Sequence, residues 1–458
     1  MKPMTLEHIA ALCDGRVLGA GETCVDGFAT DTRKLPMAGA EAPIFVALRG
    51  PNFDGHAHVA DAAARGAVAA LVSQPVDAGI PQVQVEDTER ALGDIARALH
   101  RGRKARVFAI TGSNGKTTVK TLLFSILDRA GGAYANPGNF NNEIGLPLAV
   151  IAAPDDARFA IYEMGAGKPG DIAYLTSIVR PDVALVNNVS AAHLERMGSL
   201  EAIADTKAAV HDDLADGGIA VVNADDAFAS MLEARAAGHR VLRFGMDAAA
   251  DVVARDIVAT ADGSRFRLET PAGSAGVKLA FPGRHNVANA LAATAMALAA
   301  GIGIDVIRTG LEAARPVTGR LRTHRLAGGA TLVDDSYNAN PASLGAAIDM
   351  LAQGGGEAWL VLGDMRELGV DEVALHAQAG RHARAAGITR LYALGPLASH
   401  AADAFGAGGE TFDDHARLAA ELRSALGDGV RVLVKGSRGS AMDRVVAALL
   451  DGEKHDAA

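Results

Sequence analysis

Eight consecutive residues, Thr111-Gly112-Ser113-Asn114-Gly115-Lys116-Thr117-Thr118, constrain this chain more than any other stretch. An apolar run of strand character, Arg106 to Ile110, leads into them, and a run of helix character, Val119 to Leu127, leads out. A strand, a glycine-rich turn ending in Lys-Thr and a helix together hold the phosphates of a nucleoside triphosphate. Small side chains let backbone N–H groups approach phosphate oxygens, and the helix N-terminus adds partial positive charge. Lys116 can neutralise the terminal phosphates, and the Thr117 hydroxyl can reach a bound Mg²⁺. The common form of this loop has a glycine where Ile110 stands, so the loop is a shortened variant. The plainer alternative is a glycine-rich turn with an exposed lysine.

The chain has 458 residues, more than one ordinary core can use. At roughly 150 residues per domain, about three domains are expected. Aromatic residues make up only 4%, while alanine and glycine are abundant, which predicts closely packed helices and backbone-lined turns. The net charge of −10 and the lack of a dense Lys/Arg tract argue against nucleic acid as a partner. An anionic substrate would then need local cations, and Lys116, Arg320, Lys435 and Arg438 are the candidates. The two cysteines, Cys13 and Cys24, exclude a disulfide scaffold and read as free packing residues. The N-terminus lacks a basic-then-apolar signal, and no apolar run is long enough to span a membrane, so the cytoplasm is the expected location.

Residues 1 to about 100 read as a small α/β unit. Thr5 caps a first helix, Leu6 to Cys13, and Ile44–Leu48, Ala67–Val72 and Val83–Val85 are strand candidates. After a basic linker, Arg101–Arg106, strands and helices alternate, which predicts a doubly wound parallel sheet. Its strands are Val107–Ile110, Phe159–Glu163, Val183–Asn187, Ile219–Asn223 and Val241–Phe244. Asp251 to Phe281 alternates as a small antiparallel insertion does, and an alanine-rich helix, Asn286–Ala300, follows. A third, nucleotide-binding-like α/β unit begins near Pro316–Arg320. Its strands are Thr331–Val333, Trp359–Leu362, Arg390–Leu394 and Val430–Val434.

Candidate chemistry collects at strand ends, where open α/β sheets bind ligands. Glu163 ends one strand and can hold Mg²⁺ beside a phosphate loop; the alternative is an ordinary strand-end acid. His193 follows another strand and could complete a metal site as a neutral imidazole, or be a surface histidine. Lys207 lies two turns into a helix capped by Ser199 and reads, on its own, as a solvated lysine. Asp334-Asp335-Ser336-Tyr337-Asn338-Ala339-Asn340-Pro341 suits ligand recognition, or is a polar turn before a helix capped by Ser343. Lys435-Gly436-Ser437-Arg438-Gly439-Ser440 suits anion binding at a helix N-terminus, or is a flexible basic loop.

These stretches resemble the Mur ligases, the ATP-dependent amide-forming enzymes of peptidoglycan synthesis. Thr111–Thr118 is similar to that family's phosphate loop. Tyr162-Glu163-Met164-Gly165, Ala192-His193-Leu194-Glu195 and Gly283-Arg284-His285-Asn286-Val287-Ala288-Asn289-Ala290 also match it. The resemblance runs from Asp31-Thr32-Arg33 to the Lys435–Ser440 loop. Phe45–His56, Asn136–Gly145 and Asp334–Pro341 resemble the branch that joins D-alanyl-D-alanine to UDP-N-acetylmuramoyl-tripeptide. The Asp-Asn-Pro-Arg stretch usual in the branch that adds diaminopimelate or lysine is absent.

The resemblance implies an α/β fold of three domains. Residues 1–102 would bind the UDP substrate, 103–316 would form a doubly wound P-loop-like ATPase domain, and 317–458 a Rossmann-like ligase domain. The phosphate loop, with Thr111, Gly112, Ser113, Asn114, Gly115, Lys116, Thr117 and Thr118, would hold ATP, assisted by Asn286, Asn289, Arg320 and Asn338. Thr117 and Glu163 would bind one Mg²⁺, and His193 and Lys207 would serve a second. Lys207 matches the lysine carbamylated in the family, although Ala208-Ala209-Val210 departs from the usual Gly-Glu-Ile that follows it. Asp31, Thr32 and Arg33 would face the uridine end, and Asn139, Asn141 and Asn142 the muramoyl peptide. Asn340 and Arg438 would serve the dipeptide end. Lys116, His193 and Lys207 would be the catalytic residues of a monomer with no membrane span. The alternatives are a related ligase with another amine acceptor, or a regulatory ATPase that forms no bond.

Overall fold

A computed structural model of the protein describes residues 1–35, 42–191, 194–260 and 263–456. Three large sheets follow one another along the chain, with two small two-stranded ones, Met4–Thr5 with Cys24–Val25 and Arg49–Gly50 with Phe53–Asp54, beside the first. The first has five strands, in the order Arg16–Leu18, Gln82–Gln84, Ala69–Val72, Pro43–Val46 and Gly27–Ala29. All pair in parallel except the Arg16–Leu18 edge. Pro43–Val46 and Ala69–Val72 are buried along their whole length, which is why they read as unbroken apolar runs. Thr5 caps the first helix as expected, accepting from His8 N.

The central sheet has nine strands. Their order is Ala133–Ala135, Phe159–Glu163, Arg106–Thr111, Val183–Val186, Ile219–Asn223, Arg240–Gly245, Val252–Thr260, Gly263–Thr270 and Gly273–Leu279. The first seven are parallel and the last two antiparallel. The expected antiparallel insertion is therefore an extension of the main sheet, joined where Phe244 pairs with Val252. Arg106–Thr111 lies between strands that follow it in sequence on both sides, so the loop after it opens into a crevice at the carboxyl edge. The alanine-rich helix Arg284–Ala299 packs into the same core as the helix Lys116–Gly131. Eleven of its residues are buried, from Asn286 to Ala297, which accounts for side chains small enough to be enclosed all round.

The third sheet has six strands, ordered Arg322–Arg325, Thr331–Asp335, Arg431–Lys435, Ala358–Gly363, Arg390–Leu394 and Gly409–Phe412. Only the Arg322–Arg325 edge is antiparallel. Its polar sequence concealed it, as did the polar Gly409–Phe412 edge. Two further readings are corrected. Asn340, not Ser343, caps the helix Pro341–Ala352, in a reciprocal capping box with Ser343. Cys13 is buried and free, but Cys24 is exposed and is not a packing residue. Among the described residues no helix is long and apolar enough to cross a membrane.

Candidate active site

The phosphate loop joins Arg106–Thr111 to the helix Lys116–Gly131, and no side chain caps that helix. Its first N–H groups are left for an anion, where the helix dipole is positive. Gly115 makes the turn at φ 78°, and a Cβ there would lie 2.3 Å from Asn289 Oδ1. Glycine is required at this position by both conformation and space. The loop is braced by its neighbours at the same sheet edge. Asn114 N donates to Asn188 Oδ1 at 2.8 Å, and Asn187 Nδ2 donates to Asn114 O and to Asn289 Oδ1, each at 2.9 Å. Lys116 Nζ donates to Gly112 O at 2.7 Å, inside the loop it serves. Burial pushes its pKa down; the Glu163 carboxylate opposes this, and Arg320 adds to it.

Glu163 lies at the end of its strand, 2% exposed, with both oxygens held. Oε2 accepts from Thr117 Oγ1 at 2.8 Å and pairs with Lys120 Nζ at 3.1 Å, while Oε1 accepts from Asn141 Nδ2 at 2.9 Å. Burial alone would raise its pKa. Lys120, Lys116, Arg320 and the Thr117 hydroxyl outweigh that and hold it below the usual carboxylate range. A hydroxyl and an ionised carboxylate side by side suit Mg²⁺, which takes one or two protein carboxylates and completes its shell with water and phosphate oxygens. No group of three or more His, Cys, Asp or Glu able to hold a metal occurs among the described residues.

Lys207 is 2% exposed, so it is not the solvated helix lysine its local sequence suggests. Burial, then the neighbouring Lys116 cation, lowers its pKa to about 7. A buried amine that is partly neutral at neutral pH is nucleophilic. His193 lies outside the described residues.

A cavity of about 730 Å³ joins these parts. Its walls take in the phosphate loop from Gly112 to Thr118, Asn141, Asn142, Glu163, Lys207, Asn286, Asn289, Arg320, Asn338 and Asn340. Thr111 sits just behind, fully buried, donating its hydroxyl hydrogen to Met164 O at 3.1 Å. Arg320 stacks on Tyr337 at 4.1 Å, and Arg438 lies 5.4 Å from the same ring but does not line the cavity. Lys435 is not the free anion donor expected of the basic loop. It is buried and paired to Asp335, and it donates to Asn338 O at 3.0 Å. Asn139 is exposed and lines no part of the cavity. Asp31, Thr32 and Arg33 also lie outside its walls, in a short 3-10 turn where Asp31 pairs with Arg33. Sequence reasoning overlooked Lys120 and gave Asn187 no role, and it quoted His285 and Asp335 within longer stretches without assigning either a role; the only signal for Lys120 was its spacing, one helical turn after Lys116.

The Mur ligase middle domain matches residues 110–297, and the Mur ligase glutamate ligase domain matches residues 319–438. The chain is 42% identical to the UDP-N-acetylmuramoyl-tripeptide–D-alanyl-D-alanine ligase of Escherichia coli, over 98% of this chain and 99% of that one. This chain belongs to the Mur ligase family. Its Bacillus subtilis relative of the same name is 31% identical over 98% of both chains. The crystal structure of MurF from Acinetobacter baumannii superposes with a TM-score of 0.92 at 33% identity, covering 98% of this chain and 99% of that one. MurF ligase from Thermotoga maritima, in complex with ADP, superposes at 0.84 with 28% identity, covering 94% and 99%. In this Mur ligase the uncapped helix Lys116–Gly131 and its loop stand at the carboxyl edge of the central sheet, facing the third sheet across the cavity.

Proposed function

We infer that this protein joins D-alanyl-D-alanine to UDP-N-acetylmuramoyl-tripeptide, with ATP converted to ADP and phosphate. The observation that carries this is the shared cavity. A phosphate loop, an asparagine-rich loop after Asn136 and the Asp335–Asn340 segment of the third sheet all line one space. Its volume falls within the ~300–1,000 Å³ usual for small-molecule sites. The UDP end of so long an acceptor then lies outside it, which accords with Asp31, Thr32 and Arg33 standing apart on the first unit.

A carboxylate is a poor electrophile at neutral pH. Its oxygen attacks the γ-phosphorus of ATP, the bond to the bridging oxygen breaks, and an acyl phosphate and ADP result. The amine of D-alanyl-D-alanine attacks the acyl carbon, and the tetrahedral intermediate expels phosphate and loses a proton. Charge shifts among phosphoryl oxygens in the first step, and Lys116 with the N–H groups of the uncapped helix is arranged to stabilise it. Bound Mg²⁺, held by Thr117 and Glu163, would neutralise phosphate charge further. Asn141 and Asn142 would orient the acceptor, and Asn286, Asn289, Arg320 and Asn338 the nucleotide. Lys207, as a carbamate, would change from a cation to an anion and suit a second Mg²⁺. We take residues 1–102, 103–316 and 317–458 as the three domains, and a cytoplasmic monomer as the working form.

The test is phosphate release with mass spectrometry of products, using ATP, Mg²⁺ and UDP-N-acetylmuramoyl-tripeptide, with and without D-alanyl-D-alanine. Dipeptide-dependent release and a pentapeptide product are expected. Product with a single amino acid but not with the dipeptide would reassign the amine. Release that needs neither acceptor nor amine would make the protein a switch ATPase.

A further inference from the structure

Lys120 has no place in the reaction as described above and does not line the cavity, yet its ammonium is bonded to Glu163, which does. It lies one turn after Lys116 on the helix Lys116–Gly131 and is 7% exposed. Its Nζ donates to Asn136 O and Gly138 O, each at 3.0 Å, and pairs with Glu163 Oε2 at 3.1 Å. An ammonium has three donors, and three acceptors from two separate segments use them all. Burying a cation costs several kcal/mol unless such partners offset it. A site that needed only packing here would be filled at less cost by an apolar side chain.

The segment that Lys120 grips is the asparagine-rich loop. Asn136 locks the same loop to the same strand: its Oδ1 accepts from Glu163 N at 2.9 Å, and its Nδ2 donates to Phe140 O at 2.8 Å and Glu163 O at 3.1 Å. From there the chain runs directly to Asn141 and Asn142 in the cavity wall. Gly165 N donates to Asn141 O at 2.7 Å, closing the loop onto the turn after Glu163. Lys120 is thus the one side chain of the phosphate helix bonded both to this loop and to the Glu163 carboxylate.

We propose that Lys120 is a positioning residue for the acceptor, holding the Asn136–Asn142 loop in register with the phosphate loop so that the acceptor carboxylate meets the γ-phosphate in line. The proposal rests on the ligase reading, because it takes this loop to be the acceptor's. Misplacing a bound carboxylate by about 1 Å can cost ~100-fold in rate, so a lysine that fixes the loop's backbone carries a catalytic consequence without touching substrate. ATP, seated on the loop backbone and Lys116, should sense its loss much less.

The experiment compares the full-length wild type with Lys120→Met and Lys120→Arg. Steady-state kinetics vary ATP and UDP-N-acetylmuramoyl-tripeptide in turn, and calorimetry measures binding of the tripeptide substrate in the presence of ADP, without turnover. Lys120→Met should lower kcat by about 10- to 100-fold and raise the KM and Kd for the tripeptide by about 10-fold, while the KM for ATP moves by less than about twofold. Lys120→Arg, which keeps the charge and donors, should recover most of that loss. Unchanged tripeptide constants in Lys120→Met, or tripeptide and ATP constants that worsen in proportion, would overturn the proposal and leave Lys120 a structural ion-pair partner. If thermal melts show that Lys120→Met does not fold, Lys120→Gln, which keeps donors without the charge, is read by the same criteria. A wild type lacking acceptor-dependent phosphate release would instead overturn the ligase reading itself.

Discussion

Asn340 Nδ2 donates to Asn114 Oδ1 at 2.8 Å, although the two residues are 226 positions apart. The bond links the third sheet to the phosphate loop. Each partner is also fixed on its own side. Asn340 Oδ1 accepts from Ser343 N at 2.9 Å as the cap of its helix, and Asn114 Nδ2 donates to Ser190 Oγ at 2.9 Å. This hydrogen bond ties the C-terminal unit directly to the phosphate loop.

Replacing Asn340 with serine should keep the cap and lose the reach to Asn114. We expect kcat/KM to fall by about 10-fold with little change in melting temperature. Asn114→Ala should cost a similar factor, and the double variant should be no worse than either single one. Additive losses would show that the two asparagines act separately.

Lys116→Ala should lower turnover by at least ~100-fold, since it removes the cation from the place where phosphoryl charge shifts. Its fold, followed by circular dichroism, should remain that of the wild type, because Lys116 bonds only to carbonyls of its own loop. Undiminished phosphate release would refute the phosphate-loop reading.

Lys207→Ala should be inactive, and short carboxylates added to the assay should partly restore it by standing in for a carbamate. The Lys207 pKa, lowered to about 7 by burial and by Lys116, bears on how the carbamate forms. Carbon dioxide is attacked by the neutral amine, which predominates above about pH 7 and is protonated below it. Carbamate should therefore be detectable by ¹³C NMR in labelled bicarbonate near pH 8 and should diminish by pH 6. Full activity of the alanine variant, with no rescue needed, would make Lys207 a mere packing residue.

His211 is 1% exposed, and the Leu232 backbone is the only hydrogen-bonding neighbour that favours its charged form among the described residues. Burial lowers its pKa, and that of His100, to about 4. The unfolded chain, with histidines near 6.5, then binds more protons than the folded one between pH 6.5 and 4. Both histidines are neutral in both states above that window. Stability should thus fall as pH drops through it, by up to about 3 kcal/mol for each histidine. Urea unfolding at pH 7.5 and 5 should show this loss, and His211→Phe should reduce it by removing one of the two groups that titrate in the window. Equal pH dependence in the variant would refute the assignment to His211.

Most of the apolar strands and helices, and the sheet edge where they deliver chemistry, could be read from the order of residues, whereas the polar edge strands Arg322–Arg325 and Gly409–Phe412 could not. Arg106–Thr111, the loop and the helix after it were legible because strand, turn and helix depend on neighbours within a few residues. Glu163 was legible because a strand that ends in a carboxylate before Met-Gly states its own position. Tertiary structure decided which polar groups face one another. Lys435 looked like a free cation until parallel pairing set it against Asp335, 100 residues earlier, and Lys207 looked solvated until its helix was buried. Lys120 drew no notice in the sequence, and only the return of Asn136 and Gly138 alongside Glu163 makes it a clasp. Backbone conformation is a local choice that a short stretch can specify. The charge and solvation of a side chain depend on partners brought by distant segments, and those are fixed only when the apolar faces between them have packed.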